Sequence, residues 1–182
     1  MVNVFINAAH TSFSPGAMIY GRTEHSDVLA FARMLSMELE RYEGIKCEYY
    51  TGNCRKGYSD EDIVIILHRG SNSGNDNTYG CDITVKSTAD AATQYDAFRL
   101  LQSLGGEKGF RLKKVHVNTG KSPFRQMEET GSEKKFLVKL GYIDSCKDNR
   151  IFDKNLLKLA QSLAEKINEV FGGKYYGTDS AV

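Results

Sequence analysis

The 182-residue chain has no apolar stretch approaching the ~20 residues of a membrane-spanning helix. Its N-terminus, MVNVFINAAH, has neither the basic start nor the apolar segment of a signal peptide. A soluble protein with no membrane partner, cytoplasmic as synthesised, is therefore expected. Neither sign of charge dominates: Lys and Arg number 24 against 23 for Asp and Glu, so no global field argues for nucleic acid, although a local patch stays open. The four cysteines, Cys47, Cys54, Cys81 and Cys146, form no CxxC pair and suit small buried hydrophobes better than a disulfide framework. Internal repeats and low-complexity linkers are lacking, and no long apolar face demands a dimer, so a monomer is expected. What the chain does have, 41% hydrophobic and 26% charged residues, fits one compact domain with a sizeable core.

Continuous apolar runs alternate with helical patterns. Strands are expected at 2–8, 45–50, 62–68, 81–85, 112–117 and 135–142. Between them, Val28, Ala32, Leu35 and Leu39 mark one face of a helix over 28–42. A second helix is expected from a Ser87 or Thr88 cap to Leu104, and a long last one, through Leu156, Leu163 and Phe171, ends at Gly172 and Gly173. Crossover-length helices between strands predict an α/β fold, a mostly parallel or mixed sheet with helices on both faces. The domain is placed at 1–173, with 174–182 as a flexible tail.

Ligand sites in open α/β sheets gather beyond the carboxyl ends of strands. His10 follows the first strand, His68 ends the run IVIIL, and Glu24 precedes the first helical pattern. Two histidines and a carboxylate are a common ligand set of catalytic zinc sites with one position open to water. Taken singly, each histidine reads as an ordinary strand-end imidazole and Glu24 as a helix-start charge. Together they make a metal site an equally good reading.

The order of parts resembles a known family, the zinc-dependent N-acetylmuramoyl-L-alanine amidases of bacterial autolysins and phage endolysins. FINAAHTSFSPGAMIYGRTEH looks like the family's opening, IVIILHRGSN like its third-ligand strand, and KFLVKLGYIDSCKDNRIF like its late strand and turn. The resemblance spans roughly residues 2–171. It implies an amidase-like fold, Zn²⁺ on His10, Glu24 and His68, and peptidoglycan or a muropeptide as partner. The implied reaction is zinc-assisted hydrolysis of the amide joining lactyl-muramic acid to L-alanine. A second glutamate would serve as general base and then protonate the leaving amine.

The sequence departs from the family at that base. Lys139 stands in the position of the second glutamate, two residues before Gly141. An ammonium ~4 Å from a centre of net charge near +1 meets about 4 kcal/mol of repulsion at an effective dielectric of ~20, so Lys139 must be neutral, turned away or paired, or the metal must be absent. Asp144, Glu128 and Glu129 are substitutes for the base, none of them in the family position. Arg69 and Gly70 also depart, standing where the family has a small residue and an asparagine.

His25 reads as a surface or ligand-supporting residue and His116 as structural, while Lys113, Lys114, Lys121, Arg125, Lys134 and Lys135 form a basic cluster open to an anionic glycan or peptide. SNSGNDNTYG, 71–80, lacks a phosphate-loop lysine and reads as a flexible rim of the cleft. Two functions are therefore expected to compete. One is a peptidoglycan amidase that would reach the cell wall as a phage endolysin. The other is a catalytically inactive binding or regulatory protein on the same scaffold, encoded by a phage or mobile element.

Overall fold

The computed structural model describes residues 1–53, 57–73, 77–119, 125–128 and 131–172. Cys54, the middle of the 71–80 rim, Lys121, the Arg125 side chain, Glu129 and the tail 174–182 lie outside that description. The elements run β1 (Val2–Ala8), β2 (Met18–Ile19), β3 (Arg22–Thr23), α1 (Glu24–Leu39), β4 (Ile45–Thr51), β5 (Ile63–Gly70), β6 (Cys81–Val85), α2 (Ala91–Ser103), β7 (Leu112–Val117), α3 (Arg125–Glu128), β8 (Lys135–Tyr142) and α4 (Cys146–Phe171).

Six strands form one mixed sheet in the order β4-β1-β5-β8-β6-β7. β4, β1, β5 and β8 are parallel, and β6 and β7, parallel to each other, run against β8. The C-terminal ends of β5 and β8 therefore meet the N-terminal ends of β6 and β7 along one sheet edge. The inner strand β5 is buried along nearly its whole length, as its unbroken apolar run requires, whereas the edge strand β7 is mostly exposed.

The two faces are covered unequally. Val4, Ile6, Ile65, Leu67, Ile83, Val85, Phe136 and Val138 pack under α1, α2 and α4, with α4 between the other two helices. Phe31, Leu35 and Leu39 of α1 and Leu163 and Ile167 of α4 are fully buried there, each contributing about 2 kcal/mol through apolar area removed from water. The opposite face carries a smaller cluster of Tyr58, Val64, Ile66 and Leu137, to which short α3 adds Met127. Helices thus lie on both faces, three long ones on one and a single turn on the other. Among the described residues no helix is long and apolar enough to cross a membrane, and Cys47, Cys81 and Cys146 form no disulfide.

Local caps shift two boundaries. α1 begins at Glu24 rather than Val28 because Thr23 Oγ1 accepts from the Ser26 N–H at 3.1 Å, and the polar residues between complete a first turn that periodicity alone omits. α2 is capped by Asp90, whose carboxylate accepts from the Thr93 N–H at 2.7 Å, and not by Ser87 or Thr88. Ser87 instead donates to Glu128.

Candidate functional site

His10 leaves β1 with a φ of 70°, a left-handed conformation uncommon outside glycine. That turn is fixed by the Gly52 N–H donating to the His10 carbonyl at 2.8 Å. The chain returns through the β2–β3 hairpin, which delivers Glu24 as the first residue of α1; the Glu24 N–H donates to the Ala17 carbonyl at 2.8 Å. His68 lies near the end of β5.

The three side chains converge. His68 Nδ1 is 2.8 Å from Glu24 Oε1, and His10 Nε2 is 3.2 Å from Glu24 Oε2. Glu24 is 4% exposed and takes two further bonds, from the Arg69 N–H to Oε1 at 3.0 Å and from the Ala17 N–H to Oε2 at 3.2 Å. Burial opposes its ionisation, but the His68 hydrogen bond and charge, the Arg69 amide and His10 outweigh that and hold the carboxyl below the usual glutamate range. One potential ligand atom from each residue lies within 4.8 Å of the others, and zinc ligands at ~2.1 Å in tetrahedral geometry stand about 3.4 Å apart. Shifts of about an ångström would seat an ion, so the donor set fits a divalent metal. Gly16, at φ +73°, leaves the space open: a Cβ there would lie 2.6 Å from Glu24 Oε2 and 2.7 Å from the His10 ring. A cleft of about 420 Å³, lined by Ala9, His10, Thr11, Ser14, Gly52, Asn53 and His68, opens above the group.

A buried network sets the angle of α1. The Arg69 side chain, 0% exposed, donates from Nη1 to Asp27 at 2.6 Å and from Nη2 to the Tyr142 carbonyl at 3.0 Å. Arg22 donates to Asp27 at 2.7 Å and bridges on to Asp153. Both guanidinium groups stack on Phe152. Asp27 is one turn from Glu24, so β5, α1 and α4 are tied at the helix end that carries the carboxylate.

Lys139 pairs in register with His68, which puts their Cα atoms about 4.8 Å apart on one face of the sheet. It does not join the His10–Glu24–His68 group. Lys139 is paired: its Nζ is 3.3 Å from Oδ2 of Asp82, its cross-strand partner on β6. Asp82 is 1% exposed, and His116 Nε2 lies 4.0 Å from the same oxygen. Burial pushes the His116 pKa down against the pull of Asp82, with Lys114, Lys139 and Lys113 adding to the depression.

The other sequence candidates are engaged elsewhere. Asp144 Oδ2 accepts from the Asn72 N–H at 2.6 Å and from Ser71 Oγ at 3.2 Å, tying the chain after β5. Glu128 accepts from Ser87 and Asn118. The basic cluster divides, with Lys135 fully buried, Lys134 near Glu61 and Lys113 bonded to the Tyr142 hydroxyl at 3.1 Å. Sequence reasoning missed Asp82, Asp27 and the role of Arg69. An Asp inside the apolar strand CDITV was the available signal for the first; the other two depend on contacts distant in sequence.

This fold is shared with solved structures of N-acetylmuramoyl-L-alanine amidases. It is similar to the Clostridium difficile 630 N-acetylmuramoyl-L-alanine amidase, with TM-score 0.79, 16% identity and coverage of 96% of this chain and 98% of that one. It is also similar to the catalytic domain of CwlV, an N-acetylmuramoyl-L-alanine amidase from Bacillus (Paenibacillus) polymyxa var. colistinus, with TM-score 0.76, 18% identity and coverage of 96% and 100%. The catalytic domain of the CD27L endolysin targeting Clostridia difficile matches with TM-score 0.68, 14% identity and coverage of 93% and 98%. No protein-family model and no curated relative matches the sequence.

Proposed function

We propose that residues 1–173 form a zinc-binding, peptidoglycan-directed amidase-like domain, with His10, Glu24 and His68 as the metal ligands. The observation that carries this reading is the convergence of three ligand atoms within 4.8 Å at the strand-end edge, beneath an open cleft. The amidase fold supports N-acetylmuramoyl-L-alanine linkages as the target, and the endolysin neighbour supports a cell-wall setting. Zinc held there would supply a Lewis acid and a water of lowered pKa. Glu24 is aimed by two backbone amides, so it can meet an ion with little rearrangement.

Proton transfer is where this chain is weak. A protonated Lys139 held by Asp82 cannot accept a proton from water, and Asp144 is committed to Ser71 and Asn72. The Lys139–Asp82 pair favours a second reading, a scaffold that binds metal and muropeptide without hydrolysing it efficiently. The deciding experiment follows release of N-terminal alanine amines from purified peptidoglycan by zinc-loaded protein. Lys139→Glu is combined with Asp82→Asn, because Lys139→Glu alone would set two carboxylates side by side. Slow release by the wild type and a gain on the order of 10²-fold in the double variant are expected. Fast wild-type release that the substitutions leave unchanged would assign the base to another group. Zinc-bound but inactive protein in both cases would establish the binding reading.

A further inference from the structure

The edge that carries the candidate metal centre continues past Lys139 into a concentration of positive charge. Lys113 and Lys139 flank the Tyr142 ring, with Nζ 4.9 and 5.4 Å from its centroid. Arg111 and Lys147 flank Tyr79 in the same way, at 5.1 and 4.3 Å. The two groups are joined beneath by Asp148, which accepts from the N–H groups of Gly80 and Tyr142, both at 2.8 Å. Contact with the metal centre runs through Gly70, two residues after His68, where an added Cβ would lie 2.7 Å from the Tyr142 ring and 3.0 Å from Lys139 Cδ.

Only part of this charge is met by the protein: Lys139 is paired with Asp82, and Lys113 lies in the field of buried Asp148. Arg111, Lys113, Lys114 and Lys147 are exposed and pair with no carboxylate among the described residues. The nearby carboxylates Asp82, Asp144 and Asp148 are buried, the first held by Lys139, the second by Ser71 and the Asn72 N–H, and the third by backbone amides. The net charge of the whole chain is only +1, so these cations are gathered on one edge and balanced by acidic residues elsewhere. Solvated lysines ordinarily spread apart. Here each tyrosine ring holds two cations by cation–π contact, so each pair is ordered around a common ring.

We propose that Arg111, Lys113 and Lys147, ordered on Tyr79 and Tyr142 beside the Lys139–Asp82 pair, form a subsite for the carboxylates of an acidic peptide whose other end reaches the His10–Glu24–His68 cleft. The choice of a peptide as ligand rests on the amidase reading above; the anion site itself does not. The patch gathers the turn before β6, the start of β7, the end of β8 and the start of α4, and its few cations suit a few carboxylates rather than a long polyanion.

The test is fluorescence anisotropy with metal-free full-length protein and a labelled tetraglutamate peptide, with tetraglutamine and tripolyphosphate as comparison ligands. Tetraglutamate is expected to bind and to weaken as salt is raised from about 50 to about 150 mM. Neutralising the exposed members, with Arg111→Gln, Lys113→Gln and Lys147→Gln combined, is expected to weaken it by about tenfold. Lys154→Gln with Lys158→Gln, exposed lysines on α4, is expected to leave binding unchanged. Circular dichroism melts confirm that both variants fold. Equal binding by wild type and the triple variant, equal binding of tetraglutamine, or no tetraglutamate binding would overturn the proposal. Tripolyphosphate binding without tetraglutamate binding would overturn the peptide assignment. Zinc is absent from the assay, so failed peptide binding and failed amide hydrolysis remain separate results.

Discussion

The two halves of the site edge treat a buried carboxylate in opposite ways. On the β1–β5 side, each oxygen of Glu24 faces an imidazole nitrogen and a backbone N–H, and the imidazoles front an open cleft. On the β8–β6 side, Asp82 Oδ2 is matched to Lys139, and Oδ1 has no hydrogen-bond partner among the described residues. The first arrangement gathers three potential ligand atoms within 4.8 Å of one another. The second closes on itself as an ion pair. Burial of a carboxylate is thus met by two imidazoles and two backbone amides at Glu24 and by one ammonium at Asp82.

The largest effect in this comparison is expected from Lys139→Met. Removing one partner of a buried pair strands the other, so the variant should lose about 3 kcal/mol of stability in urea unfolding. Adding Asp82→Asn should restore most of it, because no buried charge is then left alone. A single variant as stable as the wild type would show that Asp82 does not depend on Lys139.

Gly16→Ala attacks the other half. The new methyl group would press on Glu24 and His10 at a residue whose φ is +73°. A loss of about 1 kcal/mol in stability is expected, together with roughly tenfold weaker zinc binding in chelator competition. Unchanged zinc affinity would mean that the loop gives way without moving the ligands.

Much of the fold was legible because its signals are local. β1, β6, β7 and β8 have the bounds that their apolar runs predict, and strand ends alone direct attention to His10 and His68. Glu24 could be placed because a charged residue opening a helix has few places to go. The partner of Lys139 could not be read. Asp82 is 57 positions away, and the antiparallel turn of β6 against β8 that brings them together follows from sheet order rather than from either segment's pattern. The clamp of Arg69 on Asp27 is hidden for the same reason, since 42 residues separate the partners.

A smaller effect should appear with pH at the outer rim of that clamp. The hydrogen bond from Arg22 is the main cause holding the Asp153 carboxyl below its usual range, with Arg69 assisting through charge. A carboxylate with a depressed folded-state pKa contributes stability above the ordinary aspartate value, near pH 4, and loses it as pH falls through the folded value. Asp153 is more than half exposed, so Asp153→Asn should cost only about 0.5 kcal/mol at pH 7. That difference should fade as pH falls below about 4 in chemical unfolding. A difference that grows on acidification would reverse the assigned sign.

The most direct measurement for the central claim is zinc titration of chelator-stripped protein by calorimetry, comparing the wild type with Glu24→Gln. One equivalent of tightly bound zinc in the wild type, and binding weaker by on the order of 10²-fold in Glu24→Gln, is the predicted result, because the carboxylate supplies a ligand and the charge that offsets the ion. Less than a tenth of an equivalent in the wild type, or the same affinity in both proteins, would contradict it.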